Sequence, residues 1–331
     1  MKKVLITGGC GFIGGFLARR LAESGATVHL VDNMARGKVD GFLKELLARP
    51  DVALFERNLL ADDALADFDT DYDVIFHLAA ILGVQNVLDN PYSTLFNNVR
   101  MLDGMLRFGQ RQKTLSRFVF ASTSEVYAGA LQFTDMPIPT PEDTPLALPG
   151  LELPRTSYML SKIYGEMMVQ HAGLPFTIVR PHNVYGPRMG LSHVVPQLLE
   201  KAHRASDGGS IEVFSVDHTR TFCFINDAVR MLVACAGRDA CRDQTLNLGT
   251  QEPEITIGEL ADIVIATVGK SLKVDEGPVT AGSPSRRCPL TSRMTELAGV
   301  TSEVGLEEGV RQTYEWYAPM VFEGAETAVA K

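Results

Sequence analysis

The chain has 331 residues, of which 45% are hydrophobic, and its formal net charge is −9. This length fits one large domain or two modest ones with a substantial core. The acidic balance argues against nucleic acid or an anionic membrane as the main partner. No apolar run reaches membrane-spanning length. Five scattered cysteines without a CxxC pair or a histidine-spaced metal pattern indicate reduced thiols, a cytoplasmic location and no metal site.

The N-terminal segment carries the most informative pattern in the chain. An apolar run over residues 3–7 meets glycines at Gly8, Gly11 and Gly14, and a helical pattern follows at once. Gly8 permits the tight turn, Gly11 lets backbone approach a pyrophosphate, and Gly14 lets the helix pack on the strand. A diphosphate would then sit at the helix N-terminus, whose free N–H groups favour an anion.

A second apolar run over residues 27–31 ends at Asp32. A carboxylate at the end of the second strand can accept both ribose hydroxyls of NAD and repel the 2′-phosphate of NADP. Arg36, four residues later, could instead bind that 2′-phosphate. The sequence therefore predicts a dinucleotide site that prefers NAD.

Strands and helices alternate through the first 180 residues, with a long helix after Pro91. The pattern predicts an α/β fold with a doubly wound parallel sheet of the Rossmann type. His77 is interpreted as a packed strand histidine, and residues 133–155 as a long surface loop that forms a lid or rim over the site. The further predicted strands cover residues 52–55, 74–80, 117–122 and 176–180.

After Pro181 the turns become frequent and the elements shorter. The sequence therefore predicts an NAD-binding domain over residues 1–180 and a smaller, partly interleaved substrate domain over residues 181–331. Within the stretch near 222–250, residues 222–232 and 245–249 are expected to return to the main sheet.

Tyr158 and Lys162 are one helical turn apart and share a face of the predicted helix. An ammonium group there favours the phenolate, so it would lower the pKa of Tyr158 and make this tyrosine a general base. Beside them in the predicted site lie Thr123, Ser124 and Glu125 at the end of the fifth strand. Their hydroxyls can hydrogen-bond a substrate alcohol, and a carboxylate is costly to bury there without a function.

With these motifs the sequence resembles the extended short-chain dehydrogenase/reductase family, in particular NAD-dependent nucleotide-sugar epimerases and dehydratases. The resemblance spans nearly the whole chain. It rests on the glycine-rich turn, the Tyr158–Lys162 pair and residues 77–80, 180–187, 219–222 and 286–289.

The resemblance implies that Tyr158 removes a proton from a sugar hydroxyl of a nucleotide-diphosphate sugar while NAD accepts the hydride, giving a transient keto-sugar. Thr123 would position the substrate, and the further substrate-binding residues would be Asn183, Arg188, Arg220 and Arg287. Lys162 and Tyr158 would also hold the cofactor. The remaining implied cofactor contacts are Phe12, Ile13, Asn33, Asn58 (where the family usually has aspartate), Leu59, Leu78, Ala79, Ala80 and Asn98.

The reaction after the first oxidation stays open. Glu125 has the place of a glutamate that the family's 4,6-dehydratases and UDP-glucuronate decarboxylases carry, which suggests dehydration, decarboxylation or C5 epimerisation. Ser124 in place of an acid weakens plain 6-dehydration. The alternatives are a simple 4-epimerase and, more remotely, a non-catalytic NAD sensor or a net oxidoreductase. The resemblance also implies a homodimer built on the Tyr158 helix and the helix after Pro91.

Overall fold

A computed structural model describes residues 1–133, 135–280 and 283–324. The strands in these ranges are β1 Lys3–Thr7, β2 Thr27–Asp32, β3 Val52–Glu56, β4 Val74–His77, β5 Arg117–Ala121, β6 Phe176–Pro181, β7 Val184–Tyr185, β8 Ser210–Phe214, β9 Thr219–Arg220, β10 Cys223–Phe224, β11 Gln244–Leu248, β12 Ile255–Thr256, β13 Lys273–Gly277 and β14 Arg286–Arg287.

The helices flank these strands. They are α1 Phe12–Glu23, α2 Gly41–Leu47, α3 Val84–Asp89, α4 Pro91–Gln110, α5 Ala128–Phe133, α6 Thr156–His171, α7 Val194–Arg204, α8 Ile225–Gly237, α9 Ile257–Val268, α10 Ser292–Ala298 and α11 Leu306–Tyr317. Short 3₁₀ helices cover Ser124–Tyr127 and Asp239–Cys241, and a π turn covers Ala318–Phe322.

Seven parallel strands form the central sheet, in the order β11-β6-β5-β4-β1-β2-β3. The chain runs from β1 outward to β3, returns to β4 on the other side of β1, and continues outward from there. The order therefore reverses between β1 and β4, and the crevice beyond their carboxyl ends is where such sheets bind ligands. The predicted doubly wound parallel sheet is confirmed.

The sheet is covered on both faces, and alternate residues of one strand enter different cores. In β1, Val4 and Ile6 belong to the larger apolar cluster, whereas Leu5 belongs to the smaller one that contains Phe108. This is the two-residue alternation of a pleated strand. Burying a side chain of this size stabilises the fold by about 1.5–3 kcal/mol, so the strands are fixed in register around the crevice.

The fourth strand is shorter than the sequence predicts. β4 stops at His77. The Leu78 amide makes the last bond of the ladder, to the Thr7 carbonyl oxygen (3.2 Å), and the Ala79 amide donates instead to the Thr7 side chain at Oγ1 (3.2 Å). Leu78, Ala79 and Ala80 therefore lie beyond the strand as a half-buried segment at the crevice.

The region after β6 returns to the central sheet only in part. β11 is its edge strand, as expected for residues 245–249. The expectation for residues 222–232 needs correction, because β10 pairs with β7 in a separate two-stranded sheet and only α8 packs against the central strands. Within that small sheet Tyr185 and Phe224 are register partners, and their ring centroids are 5.6 Å apart. The division into two domains stays a prediction.

The predicted surface loop after α5 is more firmly held than expected. Its residues Thr140, Glu142 and Thr144 are buried. The Thr140 amide donates to the Cys288 carbonyl oxygen (2.8 Å), and Glu142 Oε1 accepts from the Asn247 amide (2.8 Å). Pairing across more than a hundred residues fixes this segment between β11 and the chain near Cys288.

His77 is a packed strand residue, 2% exposed, and its Nδ1 lies 2.8 Å from Thr7 Oγ1. Burial lowers the pKa of His77 to about 3, and the positive charge of Lys162 adds to this shift. The imidazole is therefore neutral in the folded chain at pH values where an unfolded histidine takes up a proton.

The free energy of unfolding is therefore expected to fall as the pH drops from about 6.5 towards 3, by up to about 1.4 kcal/mol per pH unit for each such histidine. The unfolded chain binds a proton in this window and the folded chain does not. Denaturant titrations at a series of pH values measure the slope. His77→Gln should reduce proton uptake on unfolding by about one; an unchanged slope would contradict this assignment.

Candidate active site

The glycine-rich turn after β1 is built by close backbone contacts. Gly8 has φ of +69°, and a Cβ there would lie 3.0 Å from the Ala79 amide nitrogen. A Cβ on Gly14 would lie 2.2 Å from the Gly8 carbonyl oxygen. Larger residues at these two positions would push the turn away from α1 and from the segment after β4.

Gly11 differs from Gly8 and Gly14, because the space beside it is open. A Cβ on Gly11 would meet one atom within 4 Å, the Gly8 carbonyl oxygen at 3.2 Å. Gly11 is also the N-cap of α1 and makes no side-chain cap bond. The first amides of α1 thus face a cradle that a side chain would fill, which fits the diphosphate of a dinucleotide. Phe12 and Ile13 in this first turn are half-buried.

Asp32 lies beside this cradle at the end of β2. Its Oδ2 accepts from the Cys10 amide (3.0 Å) and its Oδ1 accepts from the Met34 amide (2.9 Å). Each oxygen keeps a further lone pair, so the carboxylate can still accept from ribose hydroxyls. Asn33 and Arg36 in the following loop are exposed. The set of residues therefore fits NAD.

Two other residues that were predicted to contact the cofactor, Asn98 and Asn58, form hydrogen bonds with backbone groups in the structure. Asn98 Oδ1 accepts from the Ile81 amide (2.7 Å), and its Nδ2 donates to the Ile81 carbonyl oxygen (3.0 Å) and to Ser161 Oγ (3.3 Å). Asn98 thus shapes the segment after β4 and ties α4 to α6. Asn58 is exposed and accepts from the Leu60 amide (3.1 Å), which fixes the turn that contains the half-buried Leu59.

Tyr158 and Lys162 lie on one face of α6, as their spacing predicts. Lys162 is 4% exposed. Its ammonium donates to the Ala121 carbonyl oxygen at the end of β5 (2.7 Å) and lies 5.9 Å from the Tyr158 ring centroid. Tyr158 itself is partly buried. The lysine is therefore held against the strand end, and the tyrosine stands nearer the crevice.

The predicted lowering of the Tyr158 pKa is not found in the chain without cofactor. Burial raises the pKa of the Tyr158 phenol, the negative charge of Glu125 raises it further, and a hydrogen bond with Thr123 opposes both. Burial also lowers the pKa of Lys162 to about 8. Burial is the largest cause of both shifts, so the spacing of the two residues does not by itself activate the phenol.

Thr123 and Glu125 lie where β5 opens into the crevice. Thr123 Oγ1 accepts from the Glu125 amide (3.2 Å) and caps the short 3₁₀ helix that begins at Ser124, whose side chain is buried. Glu125 Oε1 lies 3.6 Å from an Arg155 guanidinium nitrogen. Both partners are partly exposed, with relative side-chain accessibilities of 30% and 38%, so the pair is open to a ligand.

Sequence reasoning missed Arg155. It precedes Tyr158 by three residues, the spacing that places two side chains on one face of a helix, and this was the available signal. Arg287 belongs to the same group: burial lowers its pKa, the charge of Glu125 raises it, and that of Arg155 lowers it again. Glu125 thus pairs with Arg155 and lies within electrostatic reach of Arg287, close to Tyr158.

Arg220 and Arg287 are direct neighbours in the pairing of β9 with β14. Burial lowers the pKa of Arg220 to about 10, and the charge of Arg287 contributes to the shift. Arg220 donates to Ser283 Oγ (2.9 Å) and to the Pro284 carbonyl oxygen (2.6 Å). Adjacent buried cations repel each other, so an anion such as a diphosphate would relieve both.

Asn183 and Arg188 are placed differently from each other. Asn183 donates to the Thr221 carbonyl oxygen (2.9 Å), which joins the turn after β6 to the Arg220 segment. Arg188 instead pairs with Asp40 (2.6 Å) and reaches the Cys10 carbonyl oxygen (3.4 Å). The structure therefore brings Arg188 to the glycine-rich turn and not to the other predicted substrate arginines.

A buried network that the sequence did not reveal supports the strand ends. Glu166 accepts from Ser122 Oγ (2.5 Å) and forms a two-point ion pair with Arg180 (2.9 and 2.7 Å). Arg180 also donates to Tyr127 Oη (2.7 Å). Because every member has a partner, the network holds α6, β6 and the 3₁₀ helix in one arrangement.

The family model described as "NAD dependent epimerase/dehydratase family" matches residues 4–249. The chain belongs to this family. The resemblance, the dependence on NAD and the expectation of an enzyme are thereby confirmed at the level of the family. Among the described residues, no helix is long and apolar enough to cross a membrane, and no three His, Cys, Asp or Glu side chains cluster as a metal site.

Individual relatives represent three different reactions. A UDP-N-acetyl-alpha-D-glucosaminuronate decarboxylase of Bacillus cytotoxicus is 29% identical over 96% of this chain and 98% of its own length. An NAD dependent NDP-hexosamine 5,6-dehydratase involved in tunicamycin biosynthesis matches with a TM-score of 0.79 at 28% identity, covering 98% of this chain and 100% of that one. A UDP-glucose 4-epimerase of Thermotoga maritima matches with a TM-score of 0.80 at 25% identity, over 96% and 99% of the two chains.

Proposed function

We propose that this enzyme oxidises C4 of a nucleotide-diphosphate sugar and then acts at C5 or C6, with decarboxylation of a nucleotide-linked uronic acid as the reaction that fits the site best. The observation that carries the proposal is the Glu125–Arg155 pair, 3.6 Å apart and accompanied by Arg287. A C6 carboxylate would balance the second guanidinium group. The relationship to a uronate decarboxylase supports the same choice.

In the first step Tyr158 accepts the proton of the C4 hydroxyl, and Thr123 positions that hydroxyl. NAD, when bound, supplies the acceptor for the hydrogen that leaves C4 with its electron pair, and later returns it. The resulting 4-keto group can hold the electron pair that is released at C5. Breaking the C5–C6 bond of a uronic acid then releases carbon dioxide and leaves an enolate, which takes up a proton from water at C5. Tyr158 returns its proton to the C4 oxygen when C4 is reduced again.

Arg155, Arg287 and Glu125 would set the substrate class. A neutral C6 hydroxymethyl group offers no partner for the second guanidinium, whereas a carboxylate accepts a charge-assisted hydrogen bond. Arg220 and Asn183 would hold the diphosphate. The five cysteines are free and buried, which supports the proposal that the enzyme works in a reducing compartment such as the cytoplasm.

The proposal is tested by incubating the purified enzyme with UDP-, GDP-, CDP- and dTDP-sugars, each as the hexose and as the uronic acid, followed by mass spectrometry and NMR. Loss of carbon dioxide from a uronate is the expected result. Loss of water would identify a dehydratase, and an unchanged mass with an inverted centre an epimerase; either result with all uronates inert would overturn the proposal.

We also propose that α4 and α6 form the interface of a homodimer. The two helices pack side by side and expose apolar side chains, among which Tyr92 and Phe96 stack with ring centroids 5.9 Å apart. Tyr164 and Met167 on α6 are also exposed, at 51% and 60%. Exposed apolar area of this kind marks an association surface, and a two-fold axis would pair it with itself.

Phe96→Glu is expected to convert the dimer to a monomer, because it places a charge in the centre of this surface. Sedimentation velocity of the wild type and the variant measures the change. Val279→Glu, which alters an apolar residue after β13 that is more exposed than Phe96, should leave the dimer intact. A wild-type chain that sediments as a monomer would refute the interface.

A further inference from the structure

Arg188 is one of the most enclosed charged side chains outside the sugar site. Its side chain is 6% exposed and forms an ion pair at 2.6 Å with Asp40, which is 13% exposed. The guanidinium lies 4.6 Å from the Phe42 ring centroid and reaches the Cys10 carbonyl oxygen at 3.4 Å. One side chain from the turn after β7 thus contacts both the glycine-rich turn and the start of α2.

Asp40 ends the loop that begins at Asp32. Its Oδ1 accepts from the Leu43 amide (2.9 Å) as the N-cap of α2, while its Oδ2 receives the Arg188 bond. The start of the same loop is bound to Asp32 through the Met34 amide (2.9 Å). The loop is therefore fixed at one end by the carboxylate that faces the ribose site and at the other by Arg188.

The guanidinium is also directed towards the first turns of α1. A Cβ on Gly15 would lie 2.7 Å from Arg188 Nη1, so only glycine there leaves room for it. Nη1 is buried and has no hydrogen-bond partner in the structure. A desolvated N–H beside the helix that receives a diphosphate adds positive potential at that end of the cradle.

From this geometry we infer that Arg188 is a positioning residue for NAD rather than a substrate ligand. It holds the loop 33–40 against the glycine-rich turn and thereby slows the release of the cofactor. An enzyme that returns its hydride to the substrate in every cycle gains from keeping NAD bound between cycles. The inference rests on the proposed cycle, in which the hydride returns to the substrate, and not on the identity of the sugar.

Arg188→Met and Asp40→Asn are both expected to release NAD at least about tenfold faster, because each leaves one partner of an enclosed charge pair alone. Asp40→Asn keeps an oxygen that can cap α2, so it remains informative even if Arg188→Met folds poorly. In the double variant the second substitution should add less than about twofold, since both remove the same pair. Chasing bound NAD with excess unlabelled NAD gives the rates.

Arg19→Met is the matched control, because the Arg19 guanidinium stacks on the same Phe42 ring at 3.7 Å. NAD release from this variant should equal that of the wild type. UDP and GDP binding by the Arg188 and Asp40 variants should also stay at wild-type strength. An unchanged NAD release rate, or a larger loss of nucleotide-diphosphate affinity than of NAD affinity, would overturn the inference.

Discussion

Replacing Tyr158 with phenylalanine is expected to abolish turnover while NAD stays bound, with kcat lower by at least about a thousandfold. The phenol oxygen is the one group near Thr123 that we assign to accept the proton of the sugar hydroxyl, and phenylalanine keeps the ring without it. Substrate conversion and NAD content are measured on the same preparation. Tyr164→Phe, on the exposed side of the same helix, serves as the control and should retain full activity.

The charge state of Tyr158 can also be tested by measuring tyrosinate absorbance as a function of pH. Burial and Glu125 raise the pKa of Tyr158 in the chain without cofactor. Because oxidised nicotinamide is cationic, binding of NAD is expected to lower this pKa, and tyrosinate absorbance should then appear at lower pH. The difference should vanish in Tyr158→Phe. A titration that NAD leaves unchanged, or a Tyr158→Phe enzyme with normal turnover, would remove this tyrosine from the proposed role.

Glu125→Gln is expected to reduce product formation at C5 or C6 by at least about a hundredfold while oxidation at C4 continues. The substitution removes the charge that holds Arg155 but leaves Tyr158, Lys162 and Thr123 in place. It also removes a negative charge that raises the pKa of Tyr158, so the C4 step should extend to lower pH. Trapping the 4-keto sugar with borohydride measures that step independently of product.

This variant also separates the proposed branches. If the enzyme were a simple 4-epimerase, Glu125→Gln would retain most of its activity, because rotation of a keto-sugar needs no carboxylate at that position. Glu45→Gln, which alters a glutamate paired with Arg19 on the surface, is the matched control. Loss of both the keto-sugar and the product would instead assign Glu125 to substrate binding in general.

Much of the architecture follows from local patterns. Glycines at Gly8, Gly11 and Gly14 between an apolar run and a helical pattern specify a turn, because a Cβ on Gly8 or Gly14 would lie 2.2–3.0 Å from backbone atoms and a side chain on Gly11 would fill the open space beside it. The spacing of Tyr158 and Lys162 places them on one helix face whatever the rest of the chain does. Such features depend on a few consecutive residues, so the sequence predicts them well.

The pKa values and the grouping of the charged side chains in the site depend on contacts between residues far apart in the sequence. Whether Lys162 lowers the pKa of Tyr158 depends on how deeply both are buried, and burial is set by strands and helices far along the chain. The spacing alone predicted a shift in the wrong direction. Likewise, Arg155 and Arg287 are separated by more than a hundred residues, and no local pattern brings them to one carboxylate.

The sequence by itself determined the fold class, because strands and helices alternate over its first 180 residues. It also determined the dinucleotide turn and the helix that carries the candidate base, since each is fixed by backbone geometry over one or two turns. Only the tertiary structure decided where the charged side chains meet. Arg188 is the clearest case: its motif suggested a substrate ligand, yet its ion pair with Asp40 spans 148 positions of the chain. Chain folding over such separations sets which charges are desolvated together, and desolvation sets their chemistry.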